Sequence, residues 1–287
     1  MNNNILVDEF RGTDELYCAK VLTDNNEDGE GYTTDEPFKL APVAEISKTT
    51  ETASETKYYD NLPANSINVE GSDTITLTVP VLPVDVLGAI TGKKVDATTG
   101  ALMDGDSEQS FWALGYRLGL TDGSYRYVWR YKGRFGTVDE TSATKNAGTD
   151  TNNQTLTYTG IACTYNFEKA VDSNGNQIPQ KALVVDEREG KAWVEDFFDE
   201  VTTCDTLKQK LSITNALTNC TTSNAANAIA KGDEYEATIA ADDGYQLDEI
   251  TVTMGGTDIT ETAVTDDTIA IATVTGALVI TATAVEE

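Results

Sequence analysis

The chain contains no histidine, and this restricts the chemistry that it could perform. Histidine is the commonest general base, the usual partner of the nucleophile in hydrolytic triads and the commonest zinc ligand. Glycoside hydrolysis needs only two carboxylates, and the stretch VVDERE at 184–189 offers such a pair. In a chain with 48 Asp and Glu residues, however, a solvated acidic surface is the better interpretation. The sequence therefore predicts a protein that is not an enzyme, with no catalytic residues and no cofactor.

A second candidate for chemistry is the stretch TDNNEDGEG at 23–31. Clustered carboxylate and amide oxygens beside a glycine are typical of calcium-binding loops. The stretch lacks the flanking helices of the twelve-residue calcium loop, so a polar surface loop is the preferred interpretation and no metal is predicted. The chain also lacks a phosphate-binding glycine loop of the GxxxxGK type, and nothing else in it indicates a nucleotide site.

The stretch FWALGYRLGLTDGSYRYVWRYKGRF at 111–135 sets positive charges among aromatic residues. Asp122-Gly123 lies between two alternating runs and predicts a hairpin with a two-residue turn. With Leu120 opposite Tyr125, this register separates an aromatic face from a basic face. Platforms that stack nucleic-acid bases carry both kinds of side chain on one face. The hairpin is therefore predicted not to bind nucleic acid.

The basic face of the hairpin needs a partner, because the formal net charge of the whole chain is -28. We expect its side chains to bind carboxylates, either within the fold or on a neighbouring copy of the chain. Binding to nucleic acid is disfavoured, since phosphates would repel so acidic a protein. The candidate inter-subunit contacts are Arg117, Arg126, Arg130, Lys132 and Arg134.

Charge and composition change near residue 210 and predict two domains. Residues 211–287 hold one base and thirteen acids, and all three Trp residues lie before them. We place the first domain at 1–205 and the second at 206–287. Residues 194–210 are predicted to form a short amphipathic helix and a connector, because Val194, Phe197, Phe198 and Val201 have helical spacing.

The first domain is predicted to be mainly antiparallel β, a sandwich or barrel with one or two short helices. The stretch TITLTVPVL at 74–82 alternates apolar residues with threonine, as a half-buried strand does. PVDVLGAITG at 83–92 changes to helical spacing and ends at a glycine suited to a C-terminal cap. Further strands are predicted in APVAEISKT, SKTTETASETKYY, QTLTYTGIACTYN and KALVVDE.

Short alternating runs separated by Gly and Asp turns predict that the second domain is a small β-sandwich. Its predicted strands are YEATIAA, LDEITVTMGG, TIAIATV and ALVITATA.

The chain opens without a basic start and apolar stretch, and no run reaches the roughly 20 apolar residues that span a bilayer. We expect a soluble protein made in the cytoplasm, with its four cysteines as free thiols.

An ordered set of stretches in the first domain resembles the major tail protein of long-tailed bacteriophages, the Phi13-type family of tail-tube subunits. These stretches are KYYDN at 57–61, ITLTVPVLPVDVLGAITGKKVDATTGAL at 75–102, the hairpin at 111–135, QTLTYTGIA at 154–162 and VVDEREG at 184–190. The second domain resembles the Ig-like modules appended to such proteins, through GDEYEATIAADDGYQLDEITVTMGGTDIT and VTGALVITATA.

The resemblance implies a virion protein without enzymatic activity, which assembles in the host cytoplasm into stacked and usually hexameric rings. Its partners would be further copies of itself and the tape measure, tail terminator and distal tail proteins, with no membrane. Genomic DNA would pass through the lumen without specific binding. A tube subunit also needs strand edges that join a neighbour, and the candidate hairpin for this role is EISKTTETASETKYYDN at 45–61.

Two other functions compete with a flexible phage tail. One is the inner tube of a contractile tail or injection machine, which the sequence alone barely separates from a flexible tail. The other is a glycan-binding adhesin that uses the Ig-like module, against which the missing export signal argues.

Overall fold

The computed structural model describes residues 8–27, 31–140, 142 and 153–287. Contacts divide the chain into two compact units. The first comprises Met1–Arg188 and Asp196–Thr206, and the second comprises Glu189–Glu195 and Leu207–Glu287. The chain therefore enters the second unit, returns to the first and enters the second again. Both units are mainly β, which confirms the predicted fold class.

The described part of the first unit contains strands from 2 to 18 residues long and one α-helix. They are β1 (Phe10–Asp24), β2 (Tyr32–Thr34), β3 (Phe38–Lys39), β4 (Glu45–Tyr59), β5 (Leu62–Val79), α1 (Val84–Thr91), β6 (Lys94–Val95), β7 (Leu102–Met103), β8 (Trp112–Leu120), β9 (Tyr125–Phe135), β10 (Asp139–Glu140), β11 (Gln154–Ile161) and β12 (Ala182–Asp186).

One large antiparallel sheet organises this unit, in the order β2-β1-β8-β9-β11-β5-β4. Three short strands extend it, because β3 pairs with β1, β10 with β11 and β12 with β9. Inward residues from most of these strands form one apolar core, which includes Leu16, Leu77, Leu114 and Tyr158. At one end of the sheet, β4 has β5 as its only strand partner among the described residues.

The predictions for residues 74–92 are confirmed. Ile75, Leu77 and Val79 of β5 are fully buried, and the threonines between them are partly exposed. Helix α1 ends at Gly92, whose φ of 71° is the left-handed conformation expected of a C-terminal cap. Pro83 is the residue just before the helix and not part of its first turn.

Gly133 of β9 lies where the ring of Tyr158 crosses the strand. A Cβ atom at this position would lie 2.3 Å from Cζ of Tyr158 and 2.5 Å from the carbonyl oxygen of Thr159. Tyr158 cannot easily move, because it is fully buried and its hydroxyl donates to the carbonyl oxygen of Trp112 at 2.8 Å. Only glycine fits at this position without displacing the core.

We expect Gly133→Ala to lower the free energy of unfolding by about 1–3 kcal/mol, as overpacked core positions do. Urea unfolding of the variant and the unmodified chain measures this difference. Gly136→Ala is the matched control, because its nearest contact at 3.6 Å is ordinary packing. Equal stabilities of the two variants would show that the core yields at Gly133.

The helix predicted within 194–210 is wrong. Residues 196–206 form successive turns that pack on the first unit. Phe197 is 1% exposed, and its carbonyl oxygen accepts hydrogen bonds from the indole N–H of Trp129 and the hydroxyl of Thr202. Phe198 stacks on Tyr17 with ring centroids 5.0 Å apart. The apolar spacing therefore reflects aromatic packing in a segment of turns and not one face of a helix.

The second unit consists of short strands and one turn of helix. They are β13 (Lys210–Thr218), β14 (Cys220–Thr222), β15 (Ala228–Ala230), β16 (Tyr235–Ala241), β17 (Tyr245–Met254), β18 (Thr257–Asp258), α2 (Thr260–Ala263), β19 (Val264–Thr265), β20 (Thr268–Ile271) and β21 (Leu278–Glu286).

Two sheets share one core in the second unit. Their strand orders are β15-β13-β21-β17-β18 and β14-β16-β20-β19. Alternate residues such as Ile213, Ile239, Ile269 and Ile280 are buried between them. The four predicted strands correspond to β16, β17, β20 and β21, so these predictions are confirmed. Strand β13 pairs in parallel with β21 and was not predicted, because asparagine and threonine dilute its apolar alternation.

We expect a chain ending at Thr206 to fold, because it keeps the whole described core of the first unit. Residues 189–195 would lose their hydrogen-bond partners in β13 and in the residues just before it. One such bond joins the N–H of Lys210 to the carbonyl oxygen of Lys191. Heat-induced unfolding followed by circular dichroism should show one cooperative transition. A truncated chain that unfolds without cooperativity would make the second unit necessary for the first.

Candidate assembly surfaces

The predicted hairpin is formed by β8 and β9, but its register differs from the prediction by one residue. Gly119 lies opposite Tyr125 and Leu118 opposite Arg126. The connection is a three-residue loop, 121–123, in which the N–H of Gly123 donates to the carbonyl oxygen of Leu120 and Gly123 has a φ of 89°. Asp-Gly suits this loop as well as a two-residue turn, since glycine takes the left-handed position after a type I turn.

The one-residue difference also makes the predicted separation of faces wrong. Basic and apolar side chains now share each face of the hairpin. Arg117 stacks on Tyr125 with its guanidinium carbon 4.0 Å from the ring centroid. On the other face, Leu114 lies opposite Arg130. Gly115 lies opposite Trp129, whose ring occupies the space that a Cβ atom would need.

Two of the candidate inter-subunit contacts bind carboxylates at the surface of their own unit. Arg117 donates from Nε and Nη2 to the two oxygens of Asp14, both at 2.8 Å, and these bonds lower the pKa of Asp14. Arg126 donates from Nε and Nη2 to Asp186. The bonds from Arg188, followed by those from Arg126, hold the pKa of Asp186 well below its usual range.

Arg130 lies deeper and forms a buried cluster at the start of the long β4–β5 hairpin. Its Nη1 donates to Oδ2 of Asp73 at 2.9 Å, and the side chain of Asp73 is only 4% exposed. The same carboxylate lies 3.5 Å from Nζ of Lys48 and accepts a bond from the hydroxyl of Thr50 at 2.8 Å. The hydroxyl of Tyr116 accepts longer bonds from the same guanidinium. Arg130 therefore has its ionic partner inside its own chain.

Lys132 binds Asp24 in a second buried pair. Asp24 also accepts hydrogen bonds from the backbone N–H groups of Thr164 and Tyr165. Burial alone would raise the pKa of Asp24, but the bonds from Lys132, Thr164 and Tyr165 outweigh it, so the pKa lies below its ordinary value. Asp24 lies in the stretch 23–31 that was considered for calcium, of which residues 28–30 lie outside the described residues.

We expect the first unit to lose stability in acid partly through Asp24. A lowered pKa in the folded state means that the stabilisation is present above the ordinary Asp value of about 3.9 and is lost as the pH falls below it. Urea unfolding between about pH 5 and pH 2 should therefore show a falling midpoint. Asp24→Asn should be less stable at neutral pH and should respond less to acid. An unchanged response in that variant would assign the acid sensitivity to other carboxylates.

Arg134 differs from the other four basic residues. Its guanidinium carbon lies 4.2 Å from the ring centroid of Phe111, and no carboxylate of the described residues lies within salt-bridge distance. Arg134 is exposed, so it alone of the five combines an accessible guanidinium with no described ionic partner. An inter-subunit role for these residues stays a prediction. Arg134 suits that role best, because its exposed guanidinium could bind a carboxylate of another copy.

The distal part of the β4–β5 hairpin, residues 51–70, is here called the arm. Every residue of the arm is exposed, although the two strands pair along its whole length. The turn at its tip is formed by Asp60 and Asn61, with φ of 51° and 61°, between the paired residues Tyr59 and Leu62. The segment 45–61, predicted as a complete hairpin, therefore forms only its first strand and its turn. The second strand is β5.

The arm exposes large apolar side chains that nothing in the described part of the chain covers. Tyr58, Tyr59 and Leu62 at the tip are each 67% exposed, and Val69 is 58% exposed. Val69 lies opposite Ala53, on one side of the ribbon. A two-stranded hairpin without a packed face is marginally stable in water, so this ribbon lacks the layer that would stabilise it.

The described residues also include a cavity and four cysteines. An open cavity of about 580 Å³ is lined by carboxylates such as Asp35, Glu36 and Asp205, beside the rings of Tyr165 and Phe167. No group of three or more Cys, Asp and Glu side chains in the described ranges is arranged to hold a metal ion. The four cysteines are free, and burial raises the pKa of three of them, Cys18, Cys163 and Cys204. No helix within the described ranges is long and apolar enough to cross a membrane.

No protein-family model matches the chain, and no curated protein matches it.

Proposed function

We propose that the chain is the major tail protein of a long-tailed bacteriophage, whose copies form stacked hexameric rings and so build the tail tube. The observation that carries this proposal is the arm, a paired ribbon of twenty exposed residues that includes large apolar side chains. Such a ribbon gains its missing apolar layer only when another molecule covers it. A protein that polymerises supplies that molecule as a further copy of itself.

The open sheet edge of β4 supports the same proposal. The 15 residues of β4 pair with β5 on one side, and no described strand pairs with the other side. Long unpaired edges promote association between chains, and natural monomers usually protect them with short strands, proline or charges. The edge strand carries Glu and Lys side chains, and its pairing with β5 is irregular at two places. Its length of 15 residues nevertheless suits a subunit that joins the sheet of a neighbour.

The second unit fits an accessory role in this proposal. It has its own core, and its carboxylates outnumber its lysines, the only basic residues in it. We propose that it is an Ig-like module that decorates the outside of the tube and increases solubility. Genomic DNA would pass through the lumen of the tube without specific binding, and the acidity of the chain agrees with that requirement.

Electron microscopy of the purified protein at high concentration tests the proposal. We expect rings or tubes of uniform diameter, formed by the full chain and by the chain ending at Thr206. The truncated chain is the matched control that separates the first unit from the second. A protein that stays monomeric at every concentration and salt condition would overturn the proposal.

A further inference from the structure

The first unit contains an apolar groove that is distinct from the arm. The groove has a volume of about 500 Å³ and opens between the start of β1, the start of β4 and one face of the β8–β9 hairpin. Leu118 and Val128 lie among its lining residues, and its rim includes Phe10 and Val184, which are 60% and 52% exposed. Exposed apolar residues grouped around a concave surface mark a binding site more often than single exposed residues do.

The groove also presents hydrogen-bond donors that its own chain does not use fully. Arg126 lines the groove and donates hydrogen bonds from Nε and Nη2 to Asp186. Its remaining terminal nitrogen, Nη1, has no acceptor among the described residues. Lys48 also lines the groove, and its side chain is 36% exposed although its Nζ donates to the hydroxyl of Thr50 at 2.7 Å. A suitable occupant therefore combines apolar side chains with an acceptor, such as a carboxylate.

The tip of the arm has this composition. Tyr58, Tyr59 and Leu62 supply the apolar surface. Asp60 lies in the turn between them, and no described residue binds its carboxylate. The tip and the groove both expose apolar surface. The groove has a donor without a described acceptor, and the tip has an acceptor without a described donor, so the two surfaces are complementary.

The tip cannot reach the groove of its own chain. Lys48 lies at the groove and Tyr59 at the tip of the same strand β4, eleven residues further on. A strand advances about 3.3 Å per residue, so the two sites are about 36 Å apart. Pairing with β5 along this length keeps the strand extended. Contact between tip and groove therefore requires two copies of the chain.

We propose that the tip of the arm of one copy docks into the groove of a second copy. This inference rests on the proposed function, because it names the acceptor of the arm within the assembly. Apolar tip residues would fill the groove beside Val184, and Asp60 would accept a bond from Nη1 of Arg126. The tip and the groove are different surfaces, so the contact is heterologous and repeats from copy to copy. The distance between the tip and the groove of one chain then places successive grooves about 36 Å apart.

Cross-linking between two differently tagged preparations tests the docking. One preparation carries Leu62→Cys and the other carries Val184→Cys, both at exposed positions where the substitution spares the core. After mixing at the assembly concentration, a short bismaleimide should yield a dimer that carries both tags. We expect at least tenfold more of this dimer than in two controls. The first control pairs Leu62→Cys with Val285→Cys, which is 51% exposed in the second unit, and the second pairs it with the unmodified chain.

A yield equal to that of both controls would overturn the docking. Microscopy of the same mixtures separates this failure from a failure of the proposed function. Tubes without the mixed dimer mean that the arm binds elsewhere on a neighbour, while the tube proposal stands. A mixed dimer without rings or tubes supports the docking and removes the tube proposal.

Discussion

Replacing residues 51–72 with Asn-Gly is expected to abolish assembly while the first unit stays folded. Thr50 and Asp73 are directly paired, so a two-residue turn can join them in the way that Asp60 and Asn61 join the paired residues at the tip. Asn-Gly provides the two positive φ values that this turn requires. The replacement removes the whole arm without breaking the pairing of the remaining strands.

The physical reason for the expected loss is the distribution of burial along the hairpin. Residues 51–70 contribute nothing to the apolar core, whereas Ile75, Leu77 and Val79 of the same strand β5 are fully buried. Removing exposed residues should therefore change the unfolding midpoint little. Any contact between copies that depends on the arm disappears completely.

Sedimentation velocity and electron microscopy measure assembly, and urea unfolding measures stability. Thr52→Ala is a control on the arm itself, because a small exposed side chain is removed while the apolar surface stays. We expect this control to assemble like the unmodified chain. A shortened chain that still forms tubes would assign the assembly to other surfaces, and the arm would lose its proposed role.

Much of the fold could be predicted because buried strands of this chain alternate strictly. Ile75, Leu77 and Val79 were predicted as inward residues from their spacing alone. The same rule gave β16 and β21 in the second unit. Helix α1 was also predictable, since both its spacing and the glycine at its end follow local rules.

The hairpin register and the helix at 194–210 show where local rules end. Asp122-Gly123 fits a two-residue and a three-residue connection, and the difference of one residue exchanges the faces of every side chain that follows. The spacing of Phe197 and Phe198 is compatible with a helix, but their partners Trp129 and Tyr17 are distant in sequence. Such contacts decide the structure and leave no signal in the segment itself.

The candidate site was least predictable where it depends on long-range pairing. Tyr58, Tyr59 and Leu62 look like ordinary strand residues in the sequence. Only the pairing of β4 with β5 beyond the edge of the core shows that they are exposed. Likewise, the carboxylates bound by Arg117, Arg126, Arg130 and Lys132 could not be named in advance, because each lies more than fifty residues from its partner.

Asp73→Asn is expected to lower the free energy of unfolding by about 3–5 kcal/mol, the cost of removing one member of a buried ion pair. Asp73 is the buried acceptor for Arg130, and Lys48 lies close to the same carboxylate. An amide at this position has no charge to balance two cations. It also presents donors where the carboxylate presented only acceptors.

Asp14→Asn is the matched control, because Asp14 binds Arg117 through two equally short hydrogen bonds. The side chain of Asp14 is 48% exposed, compared with 4% for Asp73. Water can replace a lost partner at the exposed pair, so we expect a loss of no more than about 1 kcal/mol there. The two variants thus differ in burial and share the chemistry of the substitution.

A second substitution separates the lost charge from a general disturbance of the strand. Combining Asp73→Asn with Arg130→Met removes the buried cation that would be left unpaired, so the double variant should be more stable than Asp73→Asn alone. Urea unfolding of the three variants and the unmodified chain gives all the differences needed. Equal losses for Asp73→Asn and Asp14→Asn would show that burial does not govern these pairs. Asp73 and Thr50 are the paired residues directly before the arm. If the Asp73→Asn chain folds and still assembles, the direction of the arm does not depend on this buried cluster.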